Sequence, residues 1–355
     1  MAASSLLLLV TLLAAVSAAS AWRPLFPIVQ PSVDSLLGVE DKFGAFLVQY
    51  GKNYTGSQYL HRLKVFRDNL VKATLNQLND PGAQHGITQF SDLTEEEFQH
   101  YYLGLASAHE PGESIPVAPP LPTGDLPETF DWRDRGAVTP VKNQGMCGSC
   151  WAFATTGAIE GAHYVKTGEL VSLSEQELVD CDHECDPNFP EACDSGCSGG
   201  LPNNALEWIV DKGGLVSEAD YPYSGQDGTC KLTDSLTIAA KVDNFSRVAV
   251  DEEQIAANLV KFGPLAIGIN ANYLQTYIGG VTCPLICNRH ALNHGVVLVG
   301  YGVHGFTPIR LGFKPYWIVK NSWGPHWGEQ GYFKICRGKG ECGLNTMVSA
   351  VIKAE

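Results

Sequence analysis

The sequence predicts an α+β chain: a helical part without cysteines, a linker, and a larger part in which a long helix, β-branched strands and all eleven cysteines occur together. Three observations carry that expectation. Apolar residues recur at helical spacing in both parts, short Val/Ile-rich runs lie toward the C-terminal end, and Pro, Gly and small polar residues crowd the stretch between the parts.

The first element is a leader. Residues 6–16 form an apolar run of signal-peptide length, too short to span a bilayer, and Ala19-Ser20-Ala21 suits cleavage, so residues 1–21 are expected to be a signal peptide. Export puts cysteines where disulfides are the default, and an odd count leaves one thiol over. The sequons Asn53-Tyr54-Thr55 and Asn244-Phe245-Ser246 make Asn53 and Asn244 candidate glycosylation acceptors. Thirty-eight acidic residues against 24 basic ones, a net charge of −14, leave no electrostatic footprint for nucleic acid or an anionic membrane.

Residues 22–124 come next. Phe66, Leu70, Ala73 and Gln77 keep a 3.6-residue period and Pro81-Gly82 stops that helix; Thr94 with Glu97 makes a capping box for a shorter one. Taken alone, this reads as a small helical domain with no activity. Residues 107–127, SAHEPGESIPVAPPLPTGDLP, read as a linker rather than a packed element, and a boundary is placed at 124/125.

Beyond the boundary, Trp151, Ala154, Ala158, Ala162 and Val165 keep helical spacing up to Gly168, which puts Cys150 in the first turn of a long helix. There the free N–H groups and the positive end of the helix dipole favour a thiolate, the nucleophilic form. The alternative is a Cys147-x-x-Cys150 redox or metal pair. A thiolate needs a base, and imidazole suits that task. Among ten histidines, His294 stands at the mouth of the strand-like run Val296-Val297-Leu298-Val299. A second strand, Tyr316-Trp317-Ile318-Val319-Lys320, leads into Asn321-Ser322-Trp323-Gly324, where an amide can hold the imidazole and an indole can shield that bond from water.

Cys147-Gly148-Ser149-Cys150-Trp151 resembles the nucleophile motif of papain-like cysteine proteases, with His294 144 positions downstream and Asn321 171. A loop over residues 304–314 accounts for the longer second interval. Leu126-Pro127-Glu128-Thr129-Phe130-Asp131-Trp132-Arg133 resembles the start of a mature enzyme, and Gly196-Cys197-Ser198-Gly199-Gly200 a cleft-wall motif. Before the linker, Gln58, Arg62, Phe66, Asn69, Ala73 and Gln77 resemble the propeptide helix of the cathepsin F-like branch, of plant vacuolar type, with Gln58 where Glu is expected. Gly86-Ile87-Thr88-Gln89-Phe90-Ser91-Asp92 resembles the second propeptide motif, with Thr88 in place of Asn.

The resemblance implies a papain-like two-domain fold, a helical left domain and a β-barrel-like right domain with the cleft between them, behind an inhibitory propeptide at 22–124 and with the peptidase at 125–355. It implies Cys150 as nucleophile, His294 as base and acid, Asn321 as the group orienting His294, and Gln144 as oxyanion donor, a role worth about 3–4 kcal/mol in comparable sites. Gly199 and Gly200 would pair with substrate backbone. Trp323 would shield the site, and Leu201, Pro202, Gly295 and Met347 would line an apolar pocket for the residue two before the cut. Residues 101–108 would cross the cleft against the substrate direction.

The disulfides implied are Cys147–Cys197, Cys181–Cys230, Cys185–Cys193, Cys287–Cys342 and Cys283–Cys336; residues alone leave the pairing open, and a four-cysteine zinc site at 181, 185, 193 and 197 competes. The activity expected is that of an endopeptidase zymogen in a vacuole, a lysosome or outside the cell. No cofactor or metal is expected. Its partners would be protein and peptide substrates, its own propeptide and cystatin-like inhibitors, and the enzyme would be monomeric. The rivals are an inactive binding or storage homologue, a thiol–disulfide oxidoreductase and an exopeptidase.

Overall fold

Helical periodicity in the first part yields three helices in the computed structural model, which describes residues 38–106, 115–186, 189–307 and 312–354. Helices α1 (Val39–Gln49) and α2 (Gly56–Asn79) meet through Phe43, Phe46 and Phe66, with ring centroids 5.2 and 5.1 Å from Phe66. Along the predicted α2 stripe Phe66 and Ala73 are buried, while Leu70 and Gln77 are half-buried. The helix gives way at Asp80 because Pro81 disfavours helical geometry in the residue before it. Strand β1 (Ala83–His85) follows, then α3 (Glu95–Tyr102), which starts on the expected capping box: Thr94 Oγ1 accepts from Glu97 N–H and the Glu97 carboxylate accepts from Thr94 N–H.

The second part contains β2 (Phe130–Asp131), α4 (Cys150–Thr167), α5 (Glu175–Cys181), β3 (Cys185–Asp186), β4 (Phe189–Cys193), α6 (Pro202–Lys212), β5 (Leu215–Val216) and β6 (Ile238–Ala240). After them come β7 (Val242–Arg247), α7 (Glu252–Phe262), β8 (Leu265–Ile269), β9 (Tyr277–Thr282), β10 (His294–Thr307), β11 (Gly312–Lys320), β12 (Tyr332–Cys336) and β13 (Val348–Ala354). Helix α4 ends on Gly168 at φ 78°, the left-handed cap that the sequence announces.

The main sheet runs β1-β9-β12-β11-β10-β8-β13-β7, with β2 also on β10. Its pairings are antiparallel except β12 with β9. One core lies within this sheet around Leu265, Ile267, Leu298, Trp317 and Phe333; a second surrounds α4 through Trp151, Ala158, Ile159, Leu178, Leu206 and Ile209. This is the expected papain-like α+β arrangement, a helical domain against a barrel-like sheet. The cleft opens where the start of α4 meets the start of β10, and α4 comes close enough there that a Cβ on Gly157 would lie 2.7 Å from Val297.

Two expectations change. Residues 304–314 are not simply a loop: β10 and β11 go on pairing through Gly305–Lys314, Phe306–Phe313 and Thr307–Gly312, because a ladder satisfies backbone groups that an open loop would leave to solvent. The linker is tethered as well. Ala118 N–H donates to Arg247 O at 2.8 Å and Arg247 N–H to Pro116 O at 3.0 Å, so its extended chain lies along β7 with Ile115 and Ala118 buried. Such a segment needs no periodicity to dock, only backbone groups to pair. The leader at 1–21 and linker residues 107–114 lie outside the described residues. No described helix is long and apolar enough to cross a membrane.

Candidate active site

Antiparallel pairing of β10 with β11 aligns Val297 with Lys320, so the first residue of β10, His294, and the residue after β11, Asn321, arrive at the same end of the sheet. His294 Nε2 lies 2.8 Å from Asn321 Oδ1, and the Trp323 indole stacks on the imidazole at 4.6 Å. Residues 142–144 run alongside 322–324, with Gln144 N–H donating to Ser322 O at 2.8 Å and Gly324 N–H to Lys142 O at 3.1 Å. Gln144 is thereby held in front of α4, whose first residue is Cys150. Ser322 Oγ donates to Gln144 Oε1 at 2.6 Å, which turns the amide N–H toward the cleft.

The expected thiolate is not the form favoured here. Burial pushes the Cys150 thiol up to about 11, against the opposing effect of the Gly295, Gly104, Trp151 and Cys150 N–H groups. Burial likewise pulls His294 down to about 4, although Asn321 favours its charged form. The start of the helix does act on the sulfur, but loss of water outweighs it. Cys150 and His294 are both wholly buried, and His294 Nδ1 has no hydrogen-bond partner among the described residues.

The cover over Cys150 is the chain's own residues 102–106. Gly104 N–H points at Cys150 Sγ from 3.3 Å, and Gly295 N–H from 3.4 Å. Gln144 Nε2 donates to Tyr102 O at 3.3 Å as well as to Cys147 O at 2.8 Å. Gly200 N–H donates to Gly104 O and Ala106 N–H to Gly200 O, both at 3.0 Å, which makes Leu105 a parallel bridge partner of Gly200. A Cβ on Gly199 would fall 2.9 Å from Gly104 O. One on Gly200 would meet Trp151 and Asp194 at 2.6 Å, so that glycine is required by what lies behind the cleft wall rather than by the chain in front of it.

Leu105 occupies an apolar pocket with Leu201 and Met347 from the predicted set, joined by Ala192, Phe189 and Leu292. Gly268 faces it too, since a Cβ there would lie 3.1 Å from Leu105 and 3.2 Å from Met347 Sδ. Pro202 opens α6 next to Leu201, and Gly295 faces Cys150. Ala192, Phe189, Leu292 and Gly268 were missed because they come from three separate segments with no motif of their own.

The covering segment is anchored on its N-terminal side. Phe90, Phe98 and Tyr102 pack around Trp323 at 5.2, 5.4 and 6.5 Å, and Gln89 Nε2 donates to Trp323 O at 3.0 Å. With Gln at position 58, Arg62 turns to Glu97, a bidentate pair at 2.5 and 2.8 Å that holds the Glu97 carboxyl below its usual range. Asp92 is buried against Lys52 at 2.9 Å and Tyr54 at 2.5 Å, and Thr88 donates to Gln275 O at 2.6 Å in the second part. Beneath the cleft Lys142 joins Glu175 at 2.6 Å and Glu160 at 3.1 Å beside a cavity of about 20 Å³, room for one water.

Five bridges join Cys147–Cys197, Cys181–Cys230, Cys185–Cys193, Cys283–Cys336 and Cys287–Cys342, leaving Cys150 as the free thiol. All four cysteines of the rival zinc reading are therefore engaged in disulfides. Asn53 and Asn244 are both exposed.

Comparison with known proteins agrees in both parts. Residues 126–352 match the papain family cysteine proteases, and residues 43–98 match the cathepsin propeptide inhibitor domain. Cysteine proteinase 1 of Zea mays is 56% identical over 98% of each chain, and cysteine proteinase 15A of Pisum sativum is 57% identical over 92% of this chain and 90% of its own. The structure of digestive procathepsin L2 proteinase from Tenebrio molitor larval midgut superposes with a TM-score of 0.77 at 33% identity, covering 88% of this chain and 99% of that one.

Proposed function

Since the chain belongs to the papain family of cysteine proteases and carries a cathepsin-type propeptide inhibitor domain, we propose that it is an endopeptidase whose residues 22–124 are removed to expose a Cys150–His294 pair. Its cysteine-peptidase class and its proform follow from the family; the chemistry below is the reading that the geometry supports best.

Once uncovered, the Cys150 thiol gives its proton to His294 Nδ1, and the sulfur attacks the carbonyl carbon of the scissile bond. Gln144 Nε2 and the Cys150 N–H stabilise the oxyanion. The C–N bond breaks as His294 returns the proton to the leaving amine, and water then hydrolyses the thioester with His294 as base. Asn321 keeps Nε2 engaged so that Nδ1 faces the sulfur. The apolar pocket of Leu201 and Met347 takes the residue two positions before the cut.

The observation that carries this reading is the seating of residues 102–106 in the cleft with an N–H, not a carbonyl carbon, at Cys150 Sγ. A chain lying in that direction fills the cleft without offering a bond to attack. The Cys147–Cys197 bridge disfavours a Cys147–Cys150 redox cycle, and the presence of every residue the chemistry needs disfavours an inactive binding protein. Passage through the secretory route to a vacuole, a lysosome or the exterior fits the leader, with release by cleavage near Asp125.

Mass spectrometry of products from a peptide library tests the substrate reading. Cuts inside peptides with Leu, Val or Phe two positions upstream are expected; release of dipeptides only from chain ends would overturn endopeptidase action. Iodoacetamide titration tests the nucleophile: activity should fall in step with labelling of one thiol, at Cys150.

A further inference from the structure

Asp182, just after α5, and Asp194, just after β4, lie behind the cleft wall at 0% and 1% exposure. Asp194 Oδ1 accepts from the Leu201 N–H at 2.7 Å and from Asn204 Nδ2 at 3.5 Å, while Asp182 Oδ1 accepts from Glu184 N–H at 3.1 Å. The remaining oxygen of each, Oδ2, is buried without a donor among the described residues, although the two carboxyls are within hydrogen-bonding reach of one another. Two ionised carboxylates in that position would repel at short range in a medium with little water. One proton shared between the two carboxyls removes that repulsion.

Burial pushes both groups upward, and for Asp194 the neighbouring Asp182 adds to it. For Asp182 the hydrogen bond with Asp194 opposes burial; of the other charged groups Glu184 raises it further and His183 opposes. Asn204 on α6 and the Leu201 N–H face Asp194 and are neutral. Asp194 Oδ1 also stands 2.6 Å from where a Gly200 Cβ would be, so this carboxyl lies behind the residue that pairs with chain in the cleft while it bonds the residue that walls the apolar pocket.

We propose that Asp194 is a positioning residue for substrate selection: sharing one proton with Asp182, its carboxyl holds the Leu201 N–H, and with it the wall against which the side chain two before the cut packs. The proposal rests on the pocket assignment above. Raising pH removes the shared proton, sets two buried charges side by side and loosens Leu201.

The test compares the activated wild-type enzyme with Asp194→Asn and Asp194→Ala. The readout is the ratio of kcat/KM for a peptide with Leu to one with Ala two positions before the cut, which cancels titration of Cys150 and His294. The wild-type ratio is expected to fall from about pH 5 to about pH 9. Asparagine can donate to Asp182 and still accept from Leu201, so Asp194→Asn should keep the ratio high and flat, whereas Asp194→Ala should lower it roughly tenfold at about pH 5, where the wild-type ratio is highest. An Asp194→Asn profile that falls in step with wild type, or an Asp194→Ala ratio equal to wild type at about pH 5, overturns the proposal. If Asp194→Ala does not fold, the Asp194→Asn profile decides alone.

A wild-type enzyme with no preference between the two peptides would sink the pocket assignment instead. The thermal midpoint of the proenzyme then decides the shared proton. A carboxyl whose folded pKa is raised adds stability below its unfolded pKa that is lost as pH rises through the folded one. Wild type should therefore lose more than Asp194→Asn between about pH 5 and about pH 9, and equal losses refute the shared proton.

Discussion

The Gly104 N–H stands 3.3 Å from Cys150 Sγ, so the chain's own backbone contacts the free thiol and excludes water from it. A Cβ on Gly104 would fall within 1.7 Å of Gly148 O, and this closeness requires glycine at the crossing point. Loss of water holds the covered Cys150 thiol and the His294 imidazole in their neutral forms.

The first prediction follows from that state. With the thiol at about 11 and the imidazole at about 4, neither group is charged at pH 7 in the proenzyme. Iodoacetamide should label Cys150 at least about tenfold more slowly in the proenzyme than after activation, with an alkaline midpoint that moves down by several pH units. Equal rates by mass spectrometry would show that the cover does not control the sulfur.

Leu105 should be the apolar anchor of the cover. Replacing it with Ala removes side-chain contacts with Leu201 and Met347 and should weaken the prosegment's hold by about 2 kcal/mol, roughly 30-fold. Residual peptidase activity of the proenzyme at neutral pH is the measurement, and an unchanged residual would place the anchoring elsewhere.

Acid should release the prosegment, and Glu97 provides a sign that can be checked. Its carboxyl is held down first by the Arg62 hydrogen bonds, so it stabilises the fold above its unfolded pKa and that contribution is lost as pH falls through the folded value. Processing should accelerate below about pH 4.5. Glu97→Gln should process faster than wild type at pH 7 and depend less on pH; a wild-type pH profile for this variant, followed by mass, would count against the link.

Asn321→Ala should lower kcat by about tenfold to a hundredfold with KM little changed, because a buried imidazole loses the one hydrogen-bond partner its ring has among the described residues. An unaltered kcat would mean that Trp323 stacking holds His294 without help.

Lys142 balances Glu160 and Glu175, whose side chains are almost wholly buried. Burial lowers its affinity for a proton, but the two carboxylates outweigh that and keep it charged. Lys142→Met removes the cation that pairs with both carboxylates, leaving Lys320, which also acts on them, as the remaining positive charge, and should cost about 3–5 kcal/mol at neutral pH, seen in denaturant unfolding, with part of the loss recovered in acid as Glu175 takes up a proton.

Much of the local structure is legible in the sequence because its causes are local. The Thr94–Glu97 capping box, the halt before Pro81, the left-handed stop at Gly168 and the place of Cys150 at the start of α4 each depend on residues within a turn or two. The odd cysteine count announces a spare thiol in the same direct way, and the motifs around Cys150, His294 and Asn321 select the family.

Tertiary structure decided what depends on residues far apart. The charge state of Cys150 is one such matter: the helix start favours a thiolate, but residues 102–106 remove the water, and desolvation is the larger effect. The choice of Glu97 as partner for Arg62, the pocket walls at Ala192, Leu292 and Gly268, and the pairing of Pro116 and Ala118 with Arg247 are others. Burial and backbone pairing are properties of the assembled neighbourhood, and a periodicity or a motif can register only those neighbours that are close along the chain.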